Sequence, residues 1–250
     1  MQKSAHQHEE EQNDRKDKPS VKPSSKSVIR IGTWNLEGKW SEEHRLFLHS
    51  HRCDIWLLTE VSAQTIDEYK SPKDYYCHFT ADFMAPNRHW AAVLSKKKLD
   101  KLPAPHEASV VALFDGIVYC SSILPWASCG SEPSEPWRGA TLAEKTEAAI
   151  EPMKTTFPKS ATVWGGDWNQ NLFGGWEHVG SSAMREKIES VVESLGLKVA
   201  TRVLAHRIQG SHTIDHIAIP FGWDVCETQR VSAKGLSDHD AYFIDAIRTN

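Results

Sequence analysis

The chain has 250 residues, 40% of them hydrophobic and 25% charged, which is typical of a globular domain with a sizeable core. Its formal net charge of -4 argues against a strongly basic nucleic-acid clamp, although a bound divalent cation supplies positive charge locally. The apolar runs fall short of the roughly 20 residues that span a bilayer, and the N-terminal segment lacks the apolar core of a signal peptide. The five cysteines are scattered and odd in number, which favours unpaired thiols in a reducing compartment. We therefore expect a cytoplasmic monomer with no membrane partner.

The first 27 residues are rich in Gln, Glu, Lys, Ser and Pro and contain almost no large apolar residue. Such a segment cannot bury enough surface to offset the entropy lost on ordering. We therefore predict a disordered polar tail over residues 1–27 and one domain over residues 28–250.

Apolar runs predict the elements of this domain in chain order. Strands are predicted at 28–36, 53–61, 75–83, 89–95, 108–114, 117–124, 161–167, 212–220, 223–231 and 241–244, and helices at 41–51, 141–150 and 182–195. The dipeptide Asp115-Gly116 is a hairpin-type turn, which favours antiparallel pairing. Two groups of strands, each joined to helices, fit a sandwich of two sheets with the helices outside.

Five short polar motifs follow or precede these strands. A carboxylate or an imidazole in a single motif is more often an ordinary turn residue than part of a site. Side chains at the ends of several strands, however, converge at one edge of a sheet stack. The motifs are Trp34-Asn35, Thr59-Glu60, Gly166-Asp167-Trp168-Asn169, Ile214-Asp215-His216 and Ser237-Asp238-His239.

Taken in this order, the five motifs resemble the endonuclease/exonuclease/phosphatase superfamily, the DNase I-like fold, over nearly the whole of residues 28–247. The resemblance implies an α/β (α+β) four-layer sandwich, with two mostly antiparallel β-sheets flanked by helices. It also implies divalent-metal-dependent cleavage of a phosphoester or phosphodiester bond.

The resemblance implies a metal site at one end of the motif set. Glu60 is a hard oxygen ligand suited to Mg²⁺ or Mn²⁺, with Asn35 beside it and Asp238 as a further ligand of the metal or of its water. These metals keep several waters, so few protein ligands are expected.

The remaining polar residues would carry the chemistry. Asp167 resembles the residue that orients or deprotonates the attacking water, and Asn169 would hold a phosphate oxygen. His239 would bind the phosphate and stabilise its developing charge, or act in proton transfer. Asp215 would accept a hydrogen bond from His239 and fix its tautomer and orientation.

Three positions depart from the family pattern. Many members carry a His or Tyr before a Pro at the place that Ile123 occupies here, and Ile123 neither donates a proton nor binds phosphate. Ser121 or Ser122 is left as a source of a hydrogen bond to substrate. Trp168 stands where Phe is common, and Thr213 stands where Arg is frequent.

Aromatic residues near the predicted site suggest a substrate with bases. Of the ten tryptophans, several fall in or next to site loops, where stacking on a base and packing in the core are both open: Trp126, Trp137, Trp168 and Trp176. The basic run Lys96-Lys97-Lys98 either touches a phosphate backbone or is a solvated hairpin edge.

We therefore expect a divalent-metal-dependent phosphodiester hydrolase, a nuclease or nucleotide phosphodiesterase, acting on nucleic acid or a nucleotide-like phosphate ester. One alternative is a phosphomonoesterase acting on a small phosphorylated molecule. A second is a non-catalytic domain that keeps the fold, an alternative motivated by Ile123.

Overall fold

Two β-sheets packed face to face carry the site. The computed structural model describes residues 27–71, 74–130, 135–174 and 179–249, so residues 1–26 of the predicted tail and Trp176 lie outside the described residues. The strands are β1 (Val28–Asn35), β2 (Ile55–Ser62), β3 (Tyr76–Phe79), β4 (Phe83–Ala85), β5 (Arg88–Ser95), β6 (Asp100–Leu102), β7 (Ser109–Phe114), β8 (Ile117–Ser122), β9 (Thr162–Asp167), β10 (Leu197–Val199), β11 (Asp215–Pro220), β12 (Asp224–Val231) and β13 (Ala241–Ile247). The first sheet has seven strands in the order β12-β13-β1-β2-β5-β3, with β4 paired to β5, and the second has six in the order β10-β11-β9-β8-β7-β6.

Most strand pairs are antiparallel, as predicted. The exceptions among the described strands are β1 with β2 and β8 with β9, which run parallel. The predicted Asp115-Gly116 turn joins β7 to β8, and both residues have the positive φ, 51° and 72°, that such a turn requires.

Helices cover the outer face of each sheet. They are α1 (Glu42–Ser50), α2 (Ala63–Glu68), α3 (Leu142–Ile150), α4 (Met153–Thr156) and α5 (Ser182–Ser194). Ser41 caps α1 by accepting a hydrogen bond from the His44 amide, and Thr141 with Glu144 forms the predicted capping box of α3. Side chains three and four apart on α5 form the buried stripe that makes this helix amphipathic.

Three layers of apolar side chains hold the four layers together. Ile31, Leu57 and Ile217 belong to the layer between the sheets. Outside the first sheet, strand residues pack against α1 and α2, and outside the second sheet they pack against α3, α4 and α5. The four-layer sandwich expected from the sequence is therefore confirmed. Truncation of a buried apolar side chain of this kind to Ala typically lowers the free energy of unfolding by about 2–5 kcal/mol.

The shortest elements escape sequence-based prediction. Helices α2 and α4 and strands β6 and β10 are three to six residues long, too short to show a period. The predicted strand 75–83 is divided into β3 and β4. The predicted strand 212–220 begins only at Asp215, because the Thr213 hydroxyl hydrogen bonds with the Asp215 amide and carbonyl and turns the chain there.

The sheet topology places the predicted site residues and the basic run Lys96–Lys98 at opposite edges of the sandwich. Asn35 and Asp167 end β1 and β9, and Asp215 begins the antiparallel strand β11, so all three lie at one edge. Ser95, at the end of β5, pairs with Ile55 at the start of β2, which places the run Lys96–Lys98 at the opposite edge. All five cysteines are unpaired, and none of the helices in the described ranges is long and apolar enough to cross a bilayer.

Candidate active site

The register of neighbouring strands brings the predicted polar residues at the strand ends together. Asp215 lies directly opposite Asp167 in the antiparallel pair β11–β9, and Asn35 pairs with Thr59, the residue before Glu60. The two sheets face each other through β1, β9 and β11, so the ends of these strands meet across the gap between the sheets. Residues far apart in sequence therefore share one cleft.

Asn35 links two carboxylates. Its Nδ2 donates to Glu60 Oε1 at 3.0 Å and to Asp167 Oδ2 at 3.0 Å, while its Oδ1 accepts from the Glu37 amide at 2.8 Å. The side chain is buried, so it has few other arrangements available. Asn35 thereby keeps the carboxylates of Glu60 and Asp167 within two hydrogen-bond lengths of each other.

Glu60 is held from both sides. Asn35 occupies one carboxylate oxygen, and Arg88 Nη1 donates to the other, Oε2, at 2.6 Å. Burial raises the pKa of Glu60, whereas the hydrogen bond from Asn35 and the charge of Arg88 act in the opposite direction. Glu60 also has a φ of 49°, in the left-handed region, although it lies within a strand. Such a backbone costs on the order of 1 kcal/mol or more and is typical of functional sites.

At the other end of the cleft, His239 lies between two acids. Its Nδ1 is 2.8 Å from Asp215 Oδ2, and its Nε2 is 3.9 Å from Asp167 Oδ2. Burial alone lowers the pKa of His239, but Asp215 and Asp167 outweigh that effect and raise it to about 10. Burial raises the pKa of Asp167 to about 6, against the influence of His239. The imidazole is therefore a cation at neutral pH, with its orientation set by Asp215.

Asp167 and Asn169 form a tight turn after β9. The Asn169 amide donates to Asp167 Oδ1 at 3.0 Å, and Asn169 Nδ2 donates to the Leu124 carbonyl at 2.9 Å. A side-chain amide carries two N–H groups, so this hydrogen bond uses one of the two on Asn169.

Asp238 differs in environment from the other predicted site residues. Its residue is exposed, and its backbone amide donates to Glu37 Oε2 at 2.9 Å. Glu37, which also accepts from Lys39 Nζ at 2.7 Å, is an acidic residue of the cleft that sequence reasoning missed. Its position two residues after Asn35 was the available signal, because those two side chains leave the same strand end.

Trp168 and Ser121, which the sequence suggested as substrate contacts, are buried and contact other residues of the protein core. Trp168 is fully buried, with its ring 4.0 Å from that of Trp164 and 5.1 Å from that of His216. The Ser121 hydroxyl is also fully buried and donates to the Leu58 carbonyl at 2.8 Å. In this structure both residues pack within the sandwich, and neither ring face nor hydroxyl is presented to the cleft.

Ile123 and the loop tryptophans lie beside them. Ile123 is 1% exposed and belongs to the core under α3 and α5, so the position supplies no polar group. Trp126 is half-buried and packs against Trp90 and Trp137 at ring distances of 6.5 and 6.0 Å. Among the loop tryptophans that the structure describes, Trp126 is thus the one that remains partly exposed, since Trp137 is 6% exposed and Trp168 is fully buried.

A cavity of about 600 Å³ opens over His239. This volume lies in the usual range for small-molecule sites. Arg207 forms part of its wall and is fixed there, since its Nη1 donates to the Ser237 carbonyl at 3.1 Å. The lining residues at the charged end are Glu37, Lys39, Arg207, Ser237, Asp238 and His239.

The donor chemistry of the cleft suits a hard divalent cation. Glu60, Asp167 and Asn35 offer carboxylate and amide oxygens, the ligands that Mg²⁺ and Mn²⁺ prefer. Within the described residues, the one group of acids and histidines whose ligand atoms all lie within 4.8 Å of one another is Asp167, Asp215 and His239. The side of the cleft around Glu60 brings this carboxylate and the Asn35 amide together, which is the oxygen-rich donor set that such a cation prefers.

Comparison with known proteins agrees with this architecture. No family model and no curated protein matches the sequence. Solved structures do match it, among them the endonuclease domain of TRAS1, a telomere-specific non-LTR retrotransposon, at 16% identity and a TM-score of 0.63, covering 89% of this chain and 99% of that one. An endonuclease/exonuclease/phosphatase from Beutenbergia cavernae has 16% identity and a TM-score of 0.62, covering 88% of this chain and 71% of that one. The 3'-5' exonuclease (NExo) from Neisseria meningitidis has 17% identity and a TM-score of 0.61, covering 86% and 98%. At such identities the likeness concerns the fold, and this chain has the fold of the endonuclease/exonuclease/phosphatase superfamily, the DNase I-like fold.

Proposed function

We propose that this chain is a divalent-metal-dependent phosphodiester hydrolase, a nuclease or nucleotide phosphodiesterase. The observation that carries the proposal is the row of side chains Asp215, His239, Asp167, Asn35 and Glu60, each within hydrogen-bonding or ion-pairing distance of the next. It joins a water-activating carboxylate, an oriented cation and a hard-oxygen ligand set in one cleft.

Asp167 is the group that handles the attacking water. Its pKa, raised by burial to about 6, remains below neutral pH, so the carboxylate is ionised and able to accept a proton. The Asn169 amide fixes one of its oxygens, which leaves Oδ2 facing His239 and Asn35. A water bound to that oxygen would be oriented for attack on phosphorus.

His239 stabilises the charge that develops on the phosphoryl oxygens. Asp215 holds Nδ1, so the second nitrogen, Nε2, is directed toward Asp167 and toward the space in which the phosphate would lie. A preorganised cation in a cleft shielded from water is worth more than the same charge in solution. The remaining N–H of Asn169 would hold a further phosphate oxygen.

Glu60 and Asn35 would hold the divalent cation, with Asp238 as a further ligand of the metal or of its water. When bound, Mg²⁺ or Mn²⁺ neutralises phosphoryl charge and stabilises the leaving oxygen. Glu60 is suited to this because each of its oxygens accepts one hydrogen bond and keeps further acceptor capacity.

The substrate we propose is nucleic acid or a nucleotide-like phosphate ester, bound by a monomer. The cavity of about 600 Å³ over His239 has room for a nucleotide, and Arg207 and Lys39 provide positive charge on its wall. A phosphomonoesterase acting on a small phosphorylated molecule would use the same residues, so substrate choice has to be measured.

A screen of substrates tests the proposal. Single- and double-stranded DNA, RNA, a nitrophenyl phosphodiester and a nitrophenyl phosphomonoester are offered with Mg²⁺ and with Mn²⁺, using Asp167→Asn as the control for contaminating activity. Cleavage of the diester by the unaltered protein and its loss in the variant supports the proposal. Cleavage of the monoester alone favours the phosphomonoesterase, and cleavage of neither substrate class favours a non-catalytic domain.

A further inference from the structure

The proposed reaction needs a group that stabilises the leaving oxygen. When a phosphodiester is hydrolysed, the leaving oxygen takes up negative charge as its bond to phosphorus breaks, and a donor placed near it lowers the barrier. Ile123 is apolar and 1% exposed. The Ser121 hydroxyl is fully buried and donates to the Leu58 carbonyl, and the Ser122 hydroxyl, 1% exposed, accepts from Ser109 and Trp164 inside the sandwich. The end of β8 therefore contributes no donor.

Arg88 brings a cation to the end of the row farthest from His239. It is the first residue of β5, the strand next to β2, and its Nη1 lies 2.6 Å from Glu60 Oε2. Since Asn35 ties Glu60 to Asp167, Arg88 and His239 lie on either side of the Asp167–Asn35–Glu60 part of the row. If a phosphoryl group lay along this row, the attacking water would be near His239 and the leaving oxygen would be near Arg88.

The guanidinium has spare donors and a fixed position. Its hydrogen bond to Glu60 uses Nη1, and within the described part of the chain Nε and Nη2 of Arg88 have no hydrogen-bond partner. The group rests on Gly38, where a Cβ would come within 2.2 Å of Arg88 Nε, so a larger residue there would displace it. Gly38 has a φ of 67°, which also favours glycine. The side chain is 34% exposed, which leaves it accessible to a ligand.

We propose that Arg88 is a further catalytic residue, which donates through its unused N–H groups to the leaving oxygen of the phosphodiester and fills the place that Ile123 leaves apolar. The inference rests on the proposed function. Water oxygen attacks phosphorus and its proton passes to Asp167. The bond from phosphorus to the leaving oxygen breaks with its electron pair on that oxygen, and the resulting alkoxide, hydrogen-bonded to Arg88, takes its proton from solvent. Arginine stays protonated throughout, so it stabilises the charge without giving up a proton.

A leaving-group series separates this role from a purely structural one. Arg88→Met and Arg88→Lys are compared with the unaltered protein on 4-nitrophenyl and phenyl esters of thymidine 5'-phosphate, at saturating Mn²⁺. We expect Arg88→Met to lower kcat about tenfold on the 4-nitrophenyl ester and about a hundredfold on the phenyl ester, because the poorer leaving group needs the donor more. Arg88→Lys keeps the charge and should recover part of the loss. The matched control is Arg45→Met, which removes an arginine paired with Glu42 on the surface of α1 and should change neither rate.

A second readout tests for an effect through Glu60 alone. Mn²⁺ binding, followed by electron paramagnetic resonance, should stay within about threefold of the unaltered protein in Arg88→Lys, and thermal melting shows whether each variant is folded. Equal fractional losses on both esters at saturating Mn²⁺ would overturn the inference and make Arg88 a residue that only positions Glu60. If the unaltered protein hydrolyses neither ester nor any diester, the proposed function itself fails. If it hydrolyses them and Arg88→Met is indifferent, only the role of Arg88 is lost.

Discussion

The two ends of the row of polar side chains in the candidate site differ in the cation that lies beside their carboxylates. At one end the His239 imidazole, 15% exposed, lies between Asp215 and Asp167. At the other end the Arg88 guanidinium, 34% exposed, lies on Glu60. Both ends thus balance buried negative charge, but the first uses a group that can lose its proton and the second uses one that cannot.

This difference divides the work of the site. In the proposed reaction the imidazole end would bind a phosphoryl oxygen beside the carboxylate that accepts the proton of water, and an imidazole is a group whose charge depends on pH. The guanidinium end would hold Glu60 in place for a metal through the hydrogen bond from Arg88 Nη1. We therefore expect the two ends to respond differently to metal, to mutation and to pH.

The largest effect is expected from metal removal, which acts on the Glu60 end. Excess chelator should abolish hydrolysis, because the leaving oxygen and the phosphoryl charge lose their main counterion. Glu60→Gln should raise the metal concentration needed for half-maximal rate, since one charged ligand is lost. Titration of activity with Mg²⁺ and Mn²⁺ measures both. Full activity in chelator would contradict the assignment of this end.

At the imidazole end, His239→Ala and Asp215→Asn should each lower kcat by on the order of a hundredfold or more. The double variant should lose little beyond the worse single variant, because Asp215 acts by orienting His239 at 2.8 Å. Steady-state kinetics on a nitrophenyl phosphodiester, with circular dichroism as the control for folding, gives the comparison. Losses that add in free energy would show that the two residues act independently.

Stability against pH compares the two ends directly. The pKa of His239 is raised from an ordinary 6.5 to about 10, so its contribution to the free energy of unfolding is complete below pH 6.5 and is lost as pH rises toward 10. The gap in unfolding free energy between the unaltered protein and His239→Ala should therefore shrink by about 1–3 kcal/mol between pH 6 and pH 9.

Urea denaturation in chelator at both pH values measures that gap. Arg88→Met is the matched variant, and its gap from the unaltered protein should stay constant over the same range because a guanidinium does not titrate there. A constant gap for His239→Ala would show that the imidazole is not held as a cation by Asp215 and Asp167.

The smallest effect concerns Ile123. In the proposed reaction Arg88 donates a hydrogen bond but gives up no proton, so part of the negative charge on the leaving oxygen stays uncompensated. We therefore expect nitrophenyl phosphodiesters or nucleotide anhydrides to be cleaved much faster than plain DNA. Ile123→Tyr should narrow that gap by up to about tenfold if the hydroxyl reaches the phosphate, which is the worth of about one hydrogen bond. The larger residue in a buried position costs about 1–3 kcal/mol of stability, so thermal melting is measured first. Rapid cleavage of unmodified DNA by the unaltered protein would refute this expectation.

Site features that depend on the local sequence could be predicted, whereas features that depend on contacts between distant segments were harder to predict. The strand-end positions of Asn35, Asp167 and Asp215 follow from local apolar runs, so their common edge was predictable. The roles of Trp168 and Asp238 were harder, because a side chain next to a site residue points either into the core or into solvent. Burial of Trp168 and exposure of Asp238 depend on packing across the whole sandwich.

By itself the sequence determined the type and order of the long elements, the convergence of polar strand ends and the kind of chemistry that carboxylates, an amide and an imidazole support. These features depend on residue period and on residue type, both of which are local. Only the tertiary structure decided that Arg88 pairs with Glu60, that Glu37 joins the cleft and that the hydroxyl of Ser121 is already engaged. Each of these depends on how distant segments pack together. For Arg88 and Ser121, which lie on strands, a shift of one residue in register would turn the side chain to the opposite face of the sheet.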